Sequence, residues 1–271
     1  MRYKIIALDL DGTLTNSAKI ITPRTKKALF EYQEQGGRIV LASGRPTQGI
    51  VPLAEELELS EYGGYILAFN GGRMINCKTK EIMYDKTLEI GIVKELEDLT
   101  REFKTNIMTY QGDYIYTLDA KEPYVNEEYR ITGMPLREVE NLTAELTTPV
   151  NKCLMTAEPA YLEQVEKKVK QIMGNRINVY RSQPFFLELV PQNIDKAESL
   201  DKLLKQLYLT RENLIACGDG YNDLSMIRYA GLGVAMENGE EGVKKHADYI
   251  APSNDNDGIA YILEKFIFQA A

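Results

Sequence analysis

The chain has 271 residues, of which 44% are hydrophobic, so it is long enough to bury a large core in one or two domains. Its formal net charge is -8 and it contains no run of basic residues, which argues against nucleic acid or an anionic membrane as a partner. No apolar run reaches the length of a membrane-spanning helix, and the N-terminal apolar stretch is too short for a signal peptide, so we expect a cytoplasmic protein.

The first third of the chain alternates strands and helices. The apolar run Ile5–Leu8 predicts a strand that is covered on both faces. A helix follows, with Thr22 as N-cap and Gly36 as C-cap, and then the strand "RIVLAS". A second helix is predicted over 48–57, although Pro52 weakens its first half, and "GYILAFNGG" is a third strand. This alternation predicts a parallel sheet with right-handed crossovers.

The pattern changes over residues 82–190 and then returns. The segment "TNIMTYQGDYIYTLD" predicts a hairpin around Gly112 and Asp113, and further strands alternate there with helices. After Pro191 the chain again reads as helix, strand, helix and strand. The predicted fold is therefore α/β, with a Rossmann-like parallel sheet core built from residues 1–81 and 191–271 and an inserted α+β domain over residues 82–190.

Polar residues follow each predicted core strand. Ligands of open α/β sheets bind at the carboxyl ends of the strands, so these residues are the candidates for a common site. A purely structural role is the alternative for each residue, because aspartate and glycine are common in turns, and Asp223 could simply cap a helix. The candidates are Asp9, Asp11 and Thr13 after the first strand, Ser43 and Arg45 after the second, Asn70 after the third, and Asp219, Asn222 and Asp223 in "GDGYND".

Lys196 stands in "DKAE", which resembles a capping box with Asp195 as N-cap and Glu198 three residues later. A lysine in the first helical turn opposes the helix dipole, unless it binds an anion such as phosphate. An exposed lysine is the alternative interpretation.

These residues together favour phosphoryl transfer. Asp9 and Asp11 repel each other unless a cation lies near them, and oxygen ligands from Asp9, Asp219 and a carbonyl or carboxylate of Asp11 favour Mg²⁺. A carboxylate can attack phosphorus and so divide hydrolysis into two steps. Carboxylates would also carry the acid–base chemistry, since His246, the single histidine, stands in a charged segment and is expected at the surface.

The three cysteines, Cys77, Cys153 and Cys217, are widely spaced and form no CxxC pair. This spacing indicates neither a disulfide framework nor a zinc site. We expect reduced thiols, with Cys217 in a core strand.

Four motifs in this order resemble the haloacid dehalogenase superfamily, and specifically its Cof-type sugar-phosphatase branch. They are "DLDGTL", "ASGR", the lysine of "PQNIDKAESL", and "GDGYND"; "FNGG" and "PSNDNDGIA" also resemble that branch. The family usually has glycine after the lysine, where this chain has Ala197, which leaves the local backbone in question.

The resemblance implies a role for each candidate residue. It implies a magnesium-dependent phosphatase acting on a small phosphorylated metabolite, with residues 82–190 as a cap that excludes water and sets specificity. The implied roles are Asp9 as nucleophile, Asp11 as general acid and then base, Ser43, Gly44, Lys196 and Asn222 as phosphate ligands, Asp9, Asp11, Asp219 and Asp223 around the metal, and Arg45 and Asn70 as substrate contacts.

Three points stay open at this stage. Tyr110, Tyr180 and Arg181 could face the site from the inserted domain, although each suits an ordinary hairpin or surface position. A phosphomutase or phosphotransferase would share the aspartyl-phosphate step, and a phospho-accepting receiver module would share the aspartate, magnesium and lysine. The sequence does not indicate the oligomeric state or the identity of the metabolite.

Overall fold

The computed structural model describes residues 2–269. The chain divides into two compact units. Unit 1 is Met1–Tyr84 with Asp195–Ala271, and unit 2 is Asp85–Ile194. The units thus meet in sequence at 84/85 and 194/195, whereas the sequence placed the domain limits at 81/82 and 190/191.

Fourteen strands and eleven α-helices lie within residues 2–269. The strands are β1 (Ile5–Leu8), β2 (Arg38–Ala42), β3 (Tyr65–Ala68), β4 (Arg73–Asn76), β5 (Ile82–Asp85), β6 (Asn106–Gln111), β7 (Tyr114–Thr117), β8 (Leu136–Glu138), β9 (Cys153–Thr156), β10 (Ile177–Gln183), β11 (Phe186–Pro191), β12 (Leu214–Gly218), β13 (Leu232–Met236) and β14 (Tyr249–Ala251). The helices are α1 (Pro23–Glu34), α2 (Val51–Glu56), α3 (Leu59–Tyr62), α4 (Ile90–Phe103), α5 (Pro123–Thr132), α6 (Leu142–Glu145), α7 (Pro159–Met173), α8 (Lys196–Gln206), α9 (Leu224–Tyr229), α10 (Glu241–Lys244) and α11 (Gly258–Leu263), the last followed by a π-helical turn, Glu264–Phe268.

The sheet of unit 1 has the strand order β14-β13-β12-β1-β2-β3-β4-β5. The strands from β14 to β3 pair in parallel, and β4 pairs antiparallel with β3. Strands β1, β12 and β13 are buried along their whole length, as expected for parallel strands that are covered on both faces. The prediction of an α/β fold with a parallel sheet core is confirmed. The antiparallel edge of β4 and β5 was not predicted, because strands of four residues carry too little alternation to be recognised.

Two helices of unit 1 show how the local sequence sets their ends. The hydroxyl of Thr22 accepts a hydrogen bond from the Thr25 N–H, which confirms the predicted N-cap of α1. The predicted helix over 48–57 is shorter, because a 3₁₀ turn precedes it and α2 starts only at Val51. Pro52 therefore stands in the first turn of α2, where a missing N–H costs nothing, and starts the helix instead of interrupting it.

Unit 2 has a six-stranded sheet in the order β10-β11-β9-β6-β7-β8. The predicted hairpin of β6 and β7 is confirmed, with Tyr110 opposite Ile115, while β7 and β8 pair in parallel. Helices α4 and α7 contribute Val93, Leu96 and Val165 to a core that packs against the sheet. Along residues 2–269, no helix is both long enough and apolar enough to cross a lipid bilayer.

Candidate active site

The carboxyl ends of β12, β1, β2 and β3 lie side by side at one edge of the sheet of unit 1. The first residue beyond β1 is Asp9, whose backbone N–H donates to the carbonyl of Cys217 in β12 (3.0 Å). The parallel register therefore brings the segments after β1 and β12 together although more than 200 residues separate them along the chain. We call Asp9, Lys196, Asp219 and Asp223 the inner cluster.

Lys196 is the cation of the inner cluster. Its Nζ donates to Asp9 Oδ1 (2.8 Å), Asp223 Oδ1 (2.6 Å) and the carbonyl of Ala42 (2.8 Å). Only 1% of the residue is exposed, so the alternative of an exposed lysine is wrong. Burial alone would lower the pKa of Lys196, but the charges of Asp223 and Asp9 outweigh it and raise the pKa above its ordinary value. The lysine therefore stays charged between the two carboxylates.

The start of α8 fixes the position of Lys196. Asp195 caps the helix by accepting a hydrogen bond from the Glu198 N–H (3.0 Å), as predicted. Ala197 stands in the first turn of α8 and leaves the helix intact, so the departure from the family pattern does not disturb the lysine. The start of the helix lies close to Gly71, whose φ is +103°. A Cβ on this residue would lie only 2.6 Å from the Asp195 carbonyl oxygen, so the close approach requires glycine.

Three carboxylates of the inner cluster crowd one another. Asp9, Asp219 and Asp223 each offer an oxygen, and these oxygens all lie within 4.8 Å of one another. Burial and the charge of Asp223 raise the pKa of Asp9 well above its ordinary value, despite the opposing effect of Lys196. Burial likewise raises the pKa of Asp219 to about 6. One lysine thus does not neutralise the negative charge gathered here.

Asp223 holds the turn between β12 and α9. Its Oδ2 accepts hydrogen bonds from the backbone N–H groups of Asp219 (3.1 Å) and Gly220 (3.0 Å). The other oxygen faces Lys196, and the side chain makes no capping bond to α9. The interpretation of Asp223 as a mere helix cap is therefore wrong.

The loop after β1 packs directly against Asp219. Gly12 has φ +83°, and a Cβ on it would lie 2.5 Å from Asp219 Oδ2, so this position requires glycine. The hydroxyl of Thr13 donates to Asp219 Oδ1 (2.8 Å). The segment "DLDGT" therefore serves as more than a turn, because it supplies one wall of the site.

Asp11 lies in a separate group of charges, which we call the outer cluster: Asp11, Arg45 and Lys19. Arg45 donates to both carboxylate oxygens, with Nε 2.9 Å from Oδ2 and Nη2 2.6 Å from Oδ1. Lys19 Nζ lies 2.7 Å from Oδ1. Partial burial acts to raise the pKa of Asp11, but Arg45 and Lys19 outweigh it and lower the pKa below its ordinary value.

Sequence reasoning did not identify Lys19, which stands in a loop with φ +61° and has a largely exposed side chain. Arg45 also donates through Nη1 to the carbonyl of Gly49 (3.1 Å), which ties the outer cluster to the 3₁₀ turn Thr47–Gly49.

Ser43, Asn70 and Asn222 form a connected rim at the ends of β2, β3 and β12. The Ser43 carbonyl accepts from the Asn70 N–H (2.9 Å), and its hydroxyl accepts from the Arg45 N–H (3.2 Å). Asn222 Nδ2 donates to Asn70 Oδ1 (3.2 Å). Gly44 lies against the same amide, since a Cβ there would be 3.0 Å from Asn70 Nδ2. These predicted phosphate and substrate residues are therefore neighbours.

Two asparagines that sequence reasoning missed hold the loop after β1. Asn238 Nδ2 donates to the carbonyl of Gly12 (2.8 Å), and Asn254 Nδ2 donates to that of Thr15 (2.9 Å). The Asn254 N–H in turn donates to Asn238 Oδ1 (3.0 Å). The quoted motif "PSNDNDGIA" contains Asn254, but its composition did not reveal this supporting role.

Unit 2 contains the three residues that the sequence offered as cap contacts. The hydroxyl of Tyr110 is buried and donates to Glu128 Oε1 (2.6 Å). Arg181 pairs with Glu166 through Nε and Oε2 (2.8 Å), and Tyr180 lies in β10. Their role toward a substrate stays a prediction.

The inner cluster suits a hard divalent cation. Its oxygen donors are carboxylates, which Mg²⁺ prefers, and three carboxylates gather around one lysine, while burial raises the pKa values of Asp9 and Asp219. Asp11 is not in this group of three, because Arg45 and Lys19 contact both of its carboxylate oxygens. The sequence suggested either the carbonyl or the carboxylate of Asp11 as a metal ligand. Since Arg45 and Lys19 contact the carboxylate, the backbone carbonyl is the ligand that stays available.

Comparisons with known proteins agree with this geometry. The family model of haloacid dehalogenase-like hydrolases matches residues 6–263. The chain is 32% identical over 270 residues to the Streptococcus pyogenes (serotype M6) protein named "Putative phosphatase M6_Spy0533", with 98% of this chain and 99% of that protein covered. It is 28% identical over 264 residues to the Bacillus subtilis "5-amino-6-(5-phospho-D-ribitylamino)uracil phosphatase YcsE", with coverage of 97% and 96%.

Solved structures show the same fold. A crystal structure of a haloacid dehalogenase-like hydrolase from Bacteroides thetaiotaomicron has a TM-score of 0.95 and 51% identity, and the match covers 98% of this chain and 100% of that one. The superfamily predicted from the four motifs is thereby confirmed. The chain belongs to the haloacid dehalogenase-like hydrolase family, and it is a phosphatase of that family.

Proposed function

We propose that the protein hydrolyses small phosphate monoesters, and sugar phosphates in particular, with the aid of Mg²⁺ and through a phosphoaspartate on Asp9. The observation that carries the proposal is the inner cluster, in which a buried lysine bridges Asp9 and Asp223 while the oxygens of three carboxylates lie within 4.8 Å of one another. Such an arrangement is costly for folding alone, because the carboxylates repel one another in a buried position.

In the first step, an oxygen of Asp9 attacks phosphorus, a new O–P bond forms, and the bond from phosphorus to the leaving oxygen breaks. Lys196 favours the ionised form of Asp9 that this attack requires, and it holds Oδ1 in place through a 2.8 Å contact. Bound Mg²⁺, held by Asp9 and Asp219 with Asp223 beside them, would offset the negative charge of the carboxylates and of the phosphoryl oxygens.

Asp11 transfers the protons in this proposal. It donates a proton to the leaving alcohol oxygen in the first step. In the second step it accepts a proton from the water whose oxygen attacks phosphorus, and the bond from phosphorus to the Asp9 oxygen breaks, which releases inorganic phosphate and restores the Asp9 carboxylate. The ionised Asp11 of the outer cluster matches the second step directly. The first step requires that the contacts with Arg45 and Lys19 loosen when a substrate is bound.

The remaining predicted residues complete the proposal. Ser43, Gly44 and Asn222 would hold the phosphoryl oxygens together with Lys196, while Arg45 and Asn70 would contact the rest of the substrate. We assign the role of a specificity cap to the inserted residues 82–190, and we expect a cytoplasmic enzyme because no apolar run of the sequence reaches the length of a membrane-spanning helix. The name of the related YcsE protein adds a phosphorylated ribitylaminouracil to the candidate substrates.

The test is a phosphate-release screen over sugar phosphates, nucleotides, pyridoxal phosphate, flavin mononucleotide and the phosphorylated ribitylaminouracil, with MgCl₂ or with EDTA. We expect turnover that requires Mg²⁺, is lost in Asp9→Asn, and favours one class of ester in kcat/KM. Asp98→Asn, which changes an exposed carboxylate on α4, is the matched control. Equal turnover in EDTA, or an active Asp9→Asn variant, would contradict the mechanism. Transfer of phosphate to an added sugar instead of water would identify a phosphotransferase.

A further inference from the structure

A cavity of about 300 Å³ lies in unit 1 between α2 and the antiparallel edge of the sheet. Its walls come from the 3₁₀ turn Thr47–Gly49, from α2 and α3, and from strands β3, β4 and β5. None of the residues that line it belongs to the inner or the outer cluster. It is therefore a separate feature from the candidate active site, and neither the proposed function nor any sequence motif uses it.

The larger part of the cavity wall is apolar. Helix α2, which contributes to the wall, has only six residues. Ile82 on β5, the edge strand of the sheet, is 52% exposed. An apolar surface of this shape, enclosed on several sides, is typical of small-molecule sites. The apolar lining residues are Val51, Ala54, Ile66, Ile75 and Ile82.

The charged residues of the wall favour an anion. Arg73 and Lys80 line the cavity together with one carboxylate, that of Glu55, so the wall carries a net positive charge in a chain whose net charge is -8. The Arg73 guanidinium also lies over the Phe69 ring, 6.0 Å from its centroid, which holds it near the end of β4. A cationic rim beside an apolar wall suits a molecule with one acidic group and an apolar body.

One buried polar atom of the wall has no partner within residues 2–269. The Oγ1 of Thr47 makes no hydrogen bond, although the residue is only 8% exposed and lines the cavity. A buried hydroxyl without a partner costs free energy, and buried hydroxyls in proteins are normally satisfied. This atom has almost no accessible surface, so the hydroxyl is enclosed by the wall and an occupant of the cavity does not reach it.

We propose that this cavity binds a small organic anion with an apolar, ring-sized body. The body packs against Val51, Ile66 and Ile75, and the acidic group lies toward Arg73 and Lys80. The volume of about 300 Å³ is at the lower end of the range for small-molecule pockets, which admits a compact aromatic molecule of two or three rings and excludes a peptide.

The probe for the test is 8-anilinonaphthalene-1-sulfonate, an aromatic anion that fluoresces when it leaves water. Titration of the full chain is done with MgCl₂ and with a large excess of inorganic phosphate, which keeps the candidate active site occupied. We expect saturable binding to one site per chain that the phosphate does not displace. Loss of the signal when phosphate is added would overturn the proposal, because it would place the probe at the active site.

Variants of the wall locate the binding. Ala54→Phe fills the cavity from α2 and should weaken the probe by about tenfold or more, which corresponds to roughly 1.4 kcal/mol. Lys80→Gln removes a charge at the rim and should weaken it about two- to fivefold, the range of an exposed ion pair. The matched controls are Ala144→Phe, at an exposed position in α6, and Lys78→Gln, in the turn between β4 and β5; both should bind as the parent chain does.

An isosteric variant separates binding from folding. Thr47→Val keeps the shape of the side chain and removes the unpartnered hydroxyl, so it should stay folded by circular dichroism and keep its phosphate-release activity. We expect it to leave the binding of the apolar probe unchanged within about twofold while Ala54→Phe weakens it. Parent-like affinity in both Ala54→Phe and Lys80→Gln would show that the probe binds elsewhere, and the proposal would be wrong.

Discussion

Asp9 of the inner cluster and Asp11 of the outer cluster are separated only by Leu10 along the chain. Their carboxylates nevertheless lie in opposite electrostatic surroundings. Asp9 is almost fully buried and lies close to Asp223, so its pKa is raised despite the opposing effect of Lys196. Asp11 is more exposed and faces two cations, so its pKa is lowered. The pKa values of two aspartates that stand two residues apart in one motif therefore shift in opposite directions, because burial and a carboxylate neighbour dominate at Asp9 and two cations dominate at Asp11.

This difference indicates how the two aspartates divide the chemistry. A site with an excess of buried carboxylate charge attracts a divalent cation, whereas a carboxylate bound by arginine is held in a fixed orientation. Experiments can test this division, and the substitutions below are given in order of decreasing expected effect.

Asp9→Asn should have the largest effect on turnover. An amide cannot form the phosphoaspartate, so we expect kcat for phosphate release to fall by about 10⁴-fold or more while the fold is kept. The measurement is initial-rate kinetics with MgCl₂, with circular dichroism as the test of folding. Activity within tenfold of the parent chain would rule out Asp9 as the nucleophile.

Lys196→Met should have the largest effect on stability. The change leaves Asp9 and Asp223 buried without their cation, which typically costs about 3–5 kcal/mol. Urea unfolding in EDTA measures the loss. Lys205→Met removes an exposed lysine of the same helix, α8, and should cost less than about 0.5 kcal/mol. Equal losses in the two variants would show that the inner cluster does not need its lysine.

Arg45 variants test the outer cluster. Arg45→Gln removes the bidentate contact with Asp11 and should lower kcat/KM about 100-fold, while Arg45→Lys, which keeps the charge but not the fork, should lower it about tenfold. The unfolding free energy should change much less than in Lys196→Met. If Arg45→Lys were as impaired as Arg45→Gln, geometry and not charge would be the contribution of Arg45.

The pH dependence of stability tests the charge excess of the inner cluster. The ordinary pKa of Asp219 is 3.8 and burial raises it to about 6, so the folded chain binds more protons than the unfolded chain between these values. In EDTA, this residue therefore lowers the stability as pH rises from about 4 to about 6, by about 1–2 kcal/mol.

The measurement compares urea unfolding of the parent chain and Asp219→Asn across that pH range. The parent should lose stability relative to the variant as pH rises, and excess MgCl₂ should remove the difference, since the cation binds the ionised carboxylates. A parent that gains on the variant as pH rises in EDTA would contradict the raised pKa.

Lys19→Gln should have the smallest effect. Its side chain is 63% exposed, and exposed ion pairs contribute about 0–1 kcal/mol, so we expect kcat/KM to change less than about threefold. Comparison with Arg45→Gln, assayed in parallel, decides which cation orients Asp11. A larger loss in Lys19→Gln than in Arg45→Gln would reverse that assignment.

The larger elements of the fold follow from local sequence signals. Thr22 with Pro23 starts α1, and Gly112 with Asp113 turns the hairpin of β6 and β7, because capping and turn chemistry act over a few residues. The short elements α3, α6, β4, β5 and β8 were missed, since three or four residues do not complete a recognisable period. Their positions depend on the neighbours against which they pack.

The same distinction applies to the candidate site. The sequence by itself determined which residues stand at the strand ends and which chemistry Asp9, Asp219 and Lys196 could support, because motifs and their order are local information. Only the tertiary structure decided that Lys196 lies between Asp9 and Asp223, and that Lys19 and Arg45 hold Asp11. Those contacts join segments far apart in the chain, and the pKa of a carboxylate depends on its burial and its neighbours in space, which residue order does not specify.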